Sequence, residues 1–248
     1  MLAMLVHGGA ELPAKLPVMS PWVDADLGVP AEEVAAALAT QAGRRVVKTH
    51  TPADGFPVWD GVTVISVYRH PLDVLFSLRK HTANIAKPLA NDPTRWPLAQ
   101  SFHAYINDAS DPANMGQDNL ASISTHYVQT VLSGRLPDLK LFHYADMVRD
   151  GRGTVQALAA AAGIAADDGL IDRVTKATAF GAMKAKAADF APVAGTGFWK
   201  SDDDFFDSAS SRKWEGQLSA PDMDQYRARL AALVPDAAAR NWLEEGGR

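Results

Sequence analysis

The sequence predicts an α/β fold: three layers, α/β/α, built around a central and mostly parallel sheet. Three observations lead there. Short strand-like runs recur, β-branched at residues 45–50 and 62–68 and carrying leucine and phenylalanine at 139–143, with the length of buried strands. Stretches carrying helix-start and helix-stop residues separate them, and strands that alternate with helices imply a parallel sheet covered on both faces. The chain has 248 residues, 47% of them hydrophobic, enough to bury one sizeable core. A single domain over residues 1–248 is therefore expected.

Each element follows from local chemistry. Residues 9–30 gather prolines and glycines around Met19-Ser20-Pro21-Trp22 and read as a loop or lid. Pro30, then Glu32 and Glu33 ahead of an Ala/Val-rich run, opens a helix to about Ala42. The run Arg45-Val46-Val47-Lys48-Thr49-His50 is the first strand, with a polar tip, and residues 62–68 are the second. Pro71 sits at a favoured first helical position, and that helix continues through Lys80. Helices are expected around residues 98–106 and over 120–132. After the third strand, 139–143, a helix over 151–162 is closed by Gly163, and another covers 167–178. Residues 187–209, with the acidic triplet at 202–204 and several aromatics, are expected to be a mobile loop. Residues 221–233 and 235–245 are read as helices, each opened by proline.

Composition narrows the chemistry. The formal net charge of −5 gives no global attraction to nucleic acid. An anionic ligand needs a local basic cluster instead. Cysteine is absent, which removes disulfides, a thiolate nucleophile and a zinc-thiolate site. No paired-histidine spacing calls for a metal. No apolar run reaches the ~18–20 residues that span a bilayer. The opening Met-Leu-Ala-Met-Leu-Val-His-Gly-Gly lacks the basic residues of a secretory leader. A cytoplasmic protein without nucleic-acid or membrane partners is the expectation.

Ligands on parallel sheets bind at the carboxyl ends of strands. That rule selects three tips: Lys48 with His50, Tyr68 with Arg69, and Tyr144. Arg69 leaves a strand just before a helix N-terminus, where exposed N–H groups and the helix dipole favour an anion and the guanidinium adds bidentate recognition. Ser77 lies eight residues on, about two turns up the same helix. His50 at a strand tip has the chemistry of a general base near neutral pH, with Lys48 on the same side to offset charge on an oxygen. Taken singly, Arg69 equally fits a surface cap of a strand end, and His50 a histidine bonded to loop backbone.

Read together, these residues form a pattern. Lys48-Thr49-His50-Thr51-Pro52, a loop, then Val62-Thr63-Val64-Ile65-Ser66-Val67-Tyr68-Arg69-His70-Pro71-Leu72-Asp73-Val74-Leu75-Phe76-Ser77 resembles the core of the sulfotransferases that use 3′-phosphoadenosine 5′-phosphosulfate (PAPS). That family carries Lys-Thr-His-x-Pro, a strand, then Arg-Asn-Pro-x-Asp-x-x-x-Ser; His70 replaces the Asn. The resemblance implies a P-loop NTPase-like sulfotransferase fold. It implies that Arg69 and Ser77 hold the nucleotide's 3′-phosphate, that His50 takes the acceptor proton and that Lys48 assists at the transferring group. Leu141-Phe142-His143-Tyr144-Ala145-Asp146-Met147 resembles the family strand whose Tyr lies near the adenine. Thr178-Ala179-Phe180-Gly181-Ala182-Met183-Lys184 resembles the stretch that frames the purine, giving Thr178 and Phe180 that role.

Two departures stand out. The family's last nucleotide motif is Arg-Lys-Gly-x-x-Gly-x-Trp. Here Trp214 fits but both glycines are missing and Asp207 falls where the Arg belongs; Arg212 or Ser211 is the expected substitute phosphate ligand, and a solvated basic pair before Trp214 is the equal alternative. Family members also begin with a strand and a Tyr-Pro-Lys-Ser-Gly-Thr-Thr-Trp-type loop that cradles the 5′-phosphosulfate. Residues 1–15 supply no such loop, and residues 1–6 resemble the helix that follows it, so the sequence is expected to start just past the loop. The acceptor is expected to be a small molecule contacted by residues 9–30, 80–115 and 187–206, with Trp22, His81, Phe102, Tyr105, Phe198 and Trp199 as lining or packing residues. A homodimer is left open. A non-catalytic, decayed homologue is the competing reading. An ATP-dependent kinase of related fold competes less well, since Gly-x-x-x-x-Gly-Lys-Ser/Thr is missing.

Overall fold

The computed structural model describes residues 1–24, 29–110 and 118–247. Residues 25–28 and 111–117, which overlap the stretches 9–30 and 80–115 expected to contact an acceptor, lie outside the described residues. The helices, in chain order, are α1 (Leu2–Val6), α2 (Leu16–Met19), α3 (Ala31–Thr40), α4 (Pro71–Asn84), α5 (Leu98–Asn107), α6 (Leu120–Tyr127), α7 (Tyr144–Arg149), α8 (Gly151–Ala161), α9 (Asp168–Ala177), α10 (Phe180–Lys184), α11 (Ala187–Phe190), α12 (Ala220–Leu233) and α13 (Ala237–Glu245). The strands are β1 (Ile65–Tyr68) and β2 (Lys140–His143). The chain divides into two compact units.

The first unit comprises residues 1–50, 84–86 and 149–209. Its centre is the packing of α1, α8 and α9 on one another, which buries Met4, Leu5, Val155, Leu158, Ile171 and Val174. Side-chain caps start both longer helices: Asp150 accepts the Gly153 N–H at 2.8 Å, and Asp167 accepts the Leu170 N–H at 2.6 Å. Gly163 stops α8 with φ of +61°, a left-handed corner that costs glycine nothing.

Two expectations change in this unit. Residues 45–50 form no strand. Lys48 makes only an isolated parallel bridge to Trp22, and Val47 is exposed, because a β-branched run without a neighbouring ladder has nothing to pair with. Residues 187–209, expected to be a mobile loop, open with a short helix, α11, and continue as turns with a 3₁₀ segment at Asp203–Phe205. Asn84 fastens them. Its amide nitrogen donates to the Ser201 carbonyl at 2.8 Å, its amide oxygen accepts the Ser201 N–H at 3.1 Å, and its own carbonyl accepts the Lys200 N–H at 2.7 Å. Ile85 bridges Trp199 beside them.

The second unit comprises residues 51–83, 87–148 and 210–247. Here β1 and β2 pair in parallel, with Ile65 opposite Lys140 and Tyr68 opposite His143. The predicted parallel sheet is present as this pair among the described residues, and β1 starts later than expected because Val62 lies exposed ahead of it. The fold is α/β, helix-rich around a small parallel sheet. A core of Tyr68, Leu72, Leu75, Phe102, Tyr105, Ile106, Leu120, Tyr127, Tyr226, Leu230 and Leu243 surrounds the strand pair. Phe102 and Tyr105, read as possible acceptor contacts, are thus core residues, and the Tyr105 hydroxyl donates to the Pro71 carbonyl at 2.6 Å.

Side-chain caps start two helices of this unit. Asn119 with Ser122 and Ser219 with Asp222 form capping boxes on α6 and α12. Arg135 ties down the chain that follows His50 in sequence, donating to the carbonyls of Ala53 at 2.6 Å and Phe56 at 3.0 Å. Among the described residues no helix is long and apolar enough to cross a membrane.

The Asn84 fastening yields a stability prediction. Asn84→Ala strips hydrogen bonds from the Ser201 backbone and is expected to cost ~1–3 kcal/mol. Urea unfolding measures the loss, and limited proteolysis is expected to cut residues 190–206 sooner than in the wild type.

Candidate active site

Each unit assembles part of the predicted set. In the second unit, β1 ends at Tyr68, and Arg69 and His70 link it to α4. This short link aims the Arg69 side chain up the helix. Nη1 donates to the Ser77 hydroxyl at 2.9 Å, so the eight-residue spacing does bring the two together. Nη2 donates to the Ser210 carbonyl at 2.7 Å. The guanidinium carbon lies 4.3 Å from the Tyr144 ring centroid, a cation–π contact that fixes its plane. Nε lies 3.9 Å from Asp73 Oδ2 and makes no hydrogen bond among the described residues. Arg69, Ser77 and Tyr144 are one cluster, at the start of a fourteen-residue helix. A cation beside a helix N-terminus fits a phosphate.

Asp73 is the residue that sequence reading passed over. It is buried, and its carboxylate accepts the N–H groups of Arg212 and Lys213, both at 2.9 Å. It thereby brings residues 210–213 to the N-terminal turn of α4. It stands in the quoted motif as its Asp; only its partners, more than a hundred residues away, were illegible.

Arg212 reaches this place through its backbone. Its guanidinium turns instead to Glu215 and Glu245, each at 3.0 Å. The backbone explains the broken motif. Counting back from Trp214, the two family glycines fall at Ala209 and Arg212. These are two of the three non-glycine residues with positive φ among the described residues, +51° and +62°. The left-handed corners that glycine would serve are present, held by residues that carry a Cβ.

His70 fills the motif's Asn position. It is buried, stacked on Trp214 at 5.1 Å and on Tyr226 at 6.0 Å. Its Nδ1 accepts the Leu72 N–H at 3.1 Å, capping α4 and leaving the ring proton on Nε2. Burial pushes its pKa down to about 4, against the opposing pull of Asp73 and Glu245. The ring is neutral at pH 7, so its 3.9 Å approach to Glu244 is not an ion pair.

In the first unit, Lys48 and His50 are exposed but not loose. The Lys48 ammonium lies 3.7 Å from the Trp22 ring centroid, and the His50 ring lies 4.4 Å from it. Asp24 accepts the His50 N–H at 2.9 Å. Thr178 caps the end of α9, where its hydroxyl donates to the Val174 carbonyl at 2.8 Å. Phe180 starts α10, with its ring edge-on to Phe206 at 6.4 Å. No group of acidic or imidazole side chains suited to a metal ion occurs among the described residues.

The parallel strand β1 thus hands an arginine to a hydroxyl on the next helix. Comparison with known proteins gives the family. The sulfotransferase domain family matches residues 2–234. The chain is 32% identical over 276 residues to a glycolipid sulfotransferase of Mycobacterium bovis, covering 100% of this chain and 84% of that protein. It is 32% identical over 275 residues to a glycolipid sulfotransferase of Mycobacterium tuberculosis, covering 100% and 83%. Among solved structures, mouse sulfotransferase SULT7A1 complexed with PAP is similar with TM-score 0.67 and 14% identity, over 88% of this chain and 76% of that one. Retinol dehydratase in complex with androsterone and inactive cofactor PAP is similar with TM-score 0.68 and 15% identity, over 95% and 76%. This chain belongs to the sulfotransferase family, and it is a sulfotransferase.

The buried His70 makes stability depend on pH. Unfolded, a histidine binds its proton near pH 6.5; folded, His70 resists until about pH 4. The unfolded chain therefore takes up the proton first as pH falls. The stability is fully present above about pH 6.5 and is lost on descending towards pH 4, by up to ~3 kcal/mol. Urea midpoints at pH 7.5 and 4.5 are expected to differ accordingly, and His70→Asn is expected to flatten that part of the profile.

Proposed function

We propose that the chain transfers a sulfuryl group from PAPS to a hydroxyl or amine of a small-molecule acceptor, by in-line displacement at sulfur. The observation that carries this reading is the Arg69–Ser77 pair at the tip of β1, in a chain of this family. When bound, PAPS supplies the sulfuryl group and departs as 3′,5′-bisphosphoadenosine. Arg69 and Ser77 hold the 3′-phosphate, Arg69 with a charge and Ser77 with an adaptable hydroxyl. Tyr144 keeps the guanidinium flat. Thr178 and Phe180 serve the purine, Phe180 by offering an aromatic face. Arg212 adds a second cation, since its pairs with Glu215 and Glu245 are largely exposed and cost little to exchange.

His50 removes the acceptor proton as the new bond to sulfur forms, and Lys48 offsets the charge that gathers on the departing oxygen. The protein does no covalent work. It positions groups and stabilises charge, as in phosphoryl transfer. No metal enters this scheme. We read residues 1–248 as a single sulfotransferase-like domain.

The names of the mycobacterial relatives favour a sugar hydroxyl of a glycolipid as the acceptor. Octyl glucoside with radiolabelled PAPS is a direct probe.

His50→Ala is expected to lower turnover by ~10²-fold or more while nucleotide binding persists. Unchanged turnover removes His50 as base. Arg69→Ala is expected to weaken bisphosphoadenosine binding by ~1.5–3 kcal/mol, the worth of a hydrogen bond to a charged group. Equal affinity by calorimetry takes Arg69 out of the site, and a thermal shift with ATP in place of bisphosphoadenosine would point to kinase-type chemistry.

A further inference from the structure

We infer that Trp22 and Asp24 are positioning residues for the Lys48–His50 pair: the indole seats both side chains and the carboxylate fixes the backbone that carries them. The inference rests on the reading of His50 as the base.

Residues 45–50 belong to no strand, and both Lys48 and His50 are exposed. A long ammonium side chain and an exposed imidazole have many rotamers, and in-line transfer tolerates few of them. No regular ladder orders them here. The order comes from residues 21–24, which run alongside in parallel. The Lys48 N–H donates to the Pro21 carbonyl at 2.9 Å, and the Val23 N–H donates to the Lys48 carbonyl at 3.0 Å. These two bonds set Trp22 opposite Lys48.

From that register the Trp22 ring meets both functional side chains. The Lys48 ammonium lies over the ring, 3.7 Å from its centroid, where the electron-rich face attracts a cation. The His50 ring packs at 4.4 Å, tilted by 58°. Asp24 acts one step along. Its Oδ2 accepts the Thr49 hydroxyl at 2.5 Å and the His50 N–H at 2.9 Å. One bond holds the Thr49 side chain and the other holds the N–H of the Thr49–His50 peptide, which keeps the His50 backbone beside the indole.

The ring face is what matters in this arrangement. The Trp22 Nε1 is buried and has no hydrogen-bond partner among the described residues. Phenylalanine therefore loses no hydrogen bond and keeps an aromatic face. Neither Trp22 nor Asp24 exchanges a proton with the acceptor in this scheme; each acts through Lys48 or His50.

The test uses the full chain with radiolabelled PAPS and octyl glucoside, together with an NMR readout of His50 that needs no turnover. Trp22→Ala is expected to lower kcat by ~10- to 10²-fold, with the KM for PAPS changed by less than ~2-fold and the affinity for bisphosphoadenosine unchanged. Trp22→Phe is expected to recover most of the loss. Asp24→Asn, which opens no cavity, is expected to lower kcat several-fold. In a His50→Ala background, read on its residual turnover, Trp22→Ala is expected to cost less than in the wild type, because only the part of its effect that runs through Lys48 is left. In ¹³C-histidine-labelled protein, the His50 ring signals are expected to carry the ring-current shift of the indole and to lose it in Trp22→Ala.

An undiminished kcat in Trp22→Ala and Asp24→Asn, with His50→Ala inactive, overturns the inference alone. An equal penalty from Trp22→Ala with and without His50, or an unmoved His50 signal, also overturns it. Full turnover in His50→Ala overturns the underlying reading and the inference with it.

Discussion

A single buried carboxylate organises the junction that holds Arg69 at the start of α4. Placing an ionised carboxyl inside a protein costs several kcal/mol unless its oxygens are satisfied. Asp73 meets that demand with the backbone N–H groups of Arg212 and Lys213 and with the Arg69 guanidinium nearby. The requirement works in both directions. The carboxylate needs those amides, so residues 210–213 must come to the first turn of α4. Once there, the Ser210 carbonyl accepts from Arg69, and Trp214 stacks on His70. The Ser77 bond and the Tyr144 ring then complete a guanidinium held on three sides. Nothing in this junction needs a long strand. It needs one strand tip, one helix start and one returning segment.

This economy explains how much of the fold was legible in the sequence. Helix starts are local events. Asp150, Asp167, Ser219 and Pro71 each announce a helix through their own side chains, and the structure places helices there. The parallel pair was equally readable, because Ile65–Tyr68 and Lys140–His143 are short runs with large apolar side chains that end in polar tips. Residues 45–50 look the same in composition but pair with only a two-residue bridge, and pairing is a property of the neighbour rather than of the run. The segment at 187–209 went the other way. Its glycines and aspartates read as mobility, while the side chain that orders it, Asn84, sits more than a hundred residues earlier.

The site divides along the same line. Arg69 and Ser77 could be joined from sequence because eight residues on one helix is a fixed distance. The Arg212 guanidinium could not be followed, since one of its partners, Glu245, is set by the path of α13. Asp73 and Asp24 illustrate the remaining gap. A carboxylate that accepts backbone N–H groups has no sequence pattern of its own. Trp22 has none either: an aromatic residue in a proline-rich loop shows no period, and its ring serves Lys48 and His50 only because of a bridge that composition does not encode.

The positive φ angles at Ala209 and Arg212 also bear on the chain before it folds. A left-handed corner costs an L-residue ~1–2 kcal/mol that glycine would not incur. Glycine, however, gives the unfolded chain many more conformations to lose. With alanine and arginine at these corners, the denatured ensemble is already narrower there. Part of the strain is thus offset by entropy that the unfolded chain never had. The stability of this turn is a difference between two ensembles, and only one of them is drawn by its contacts.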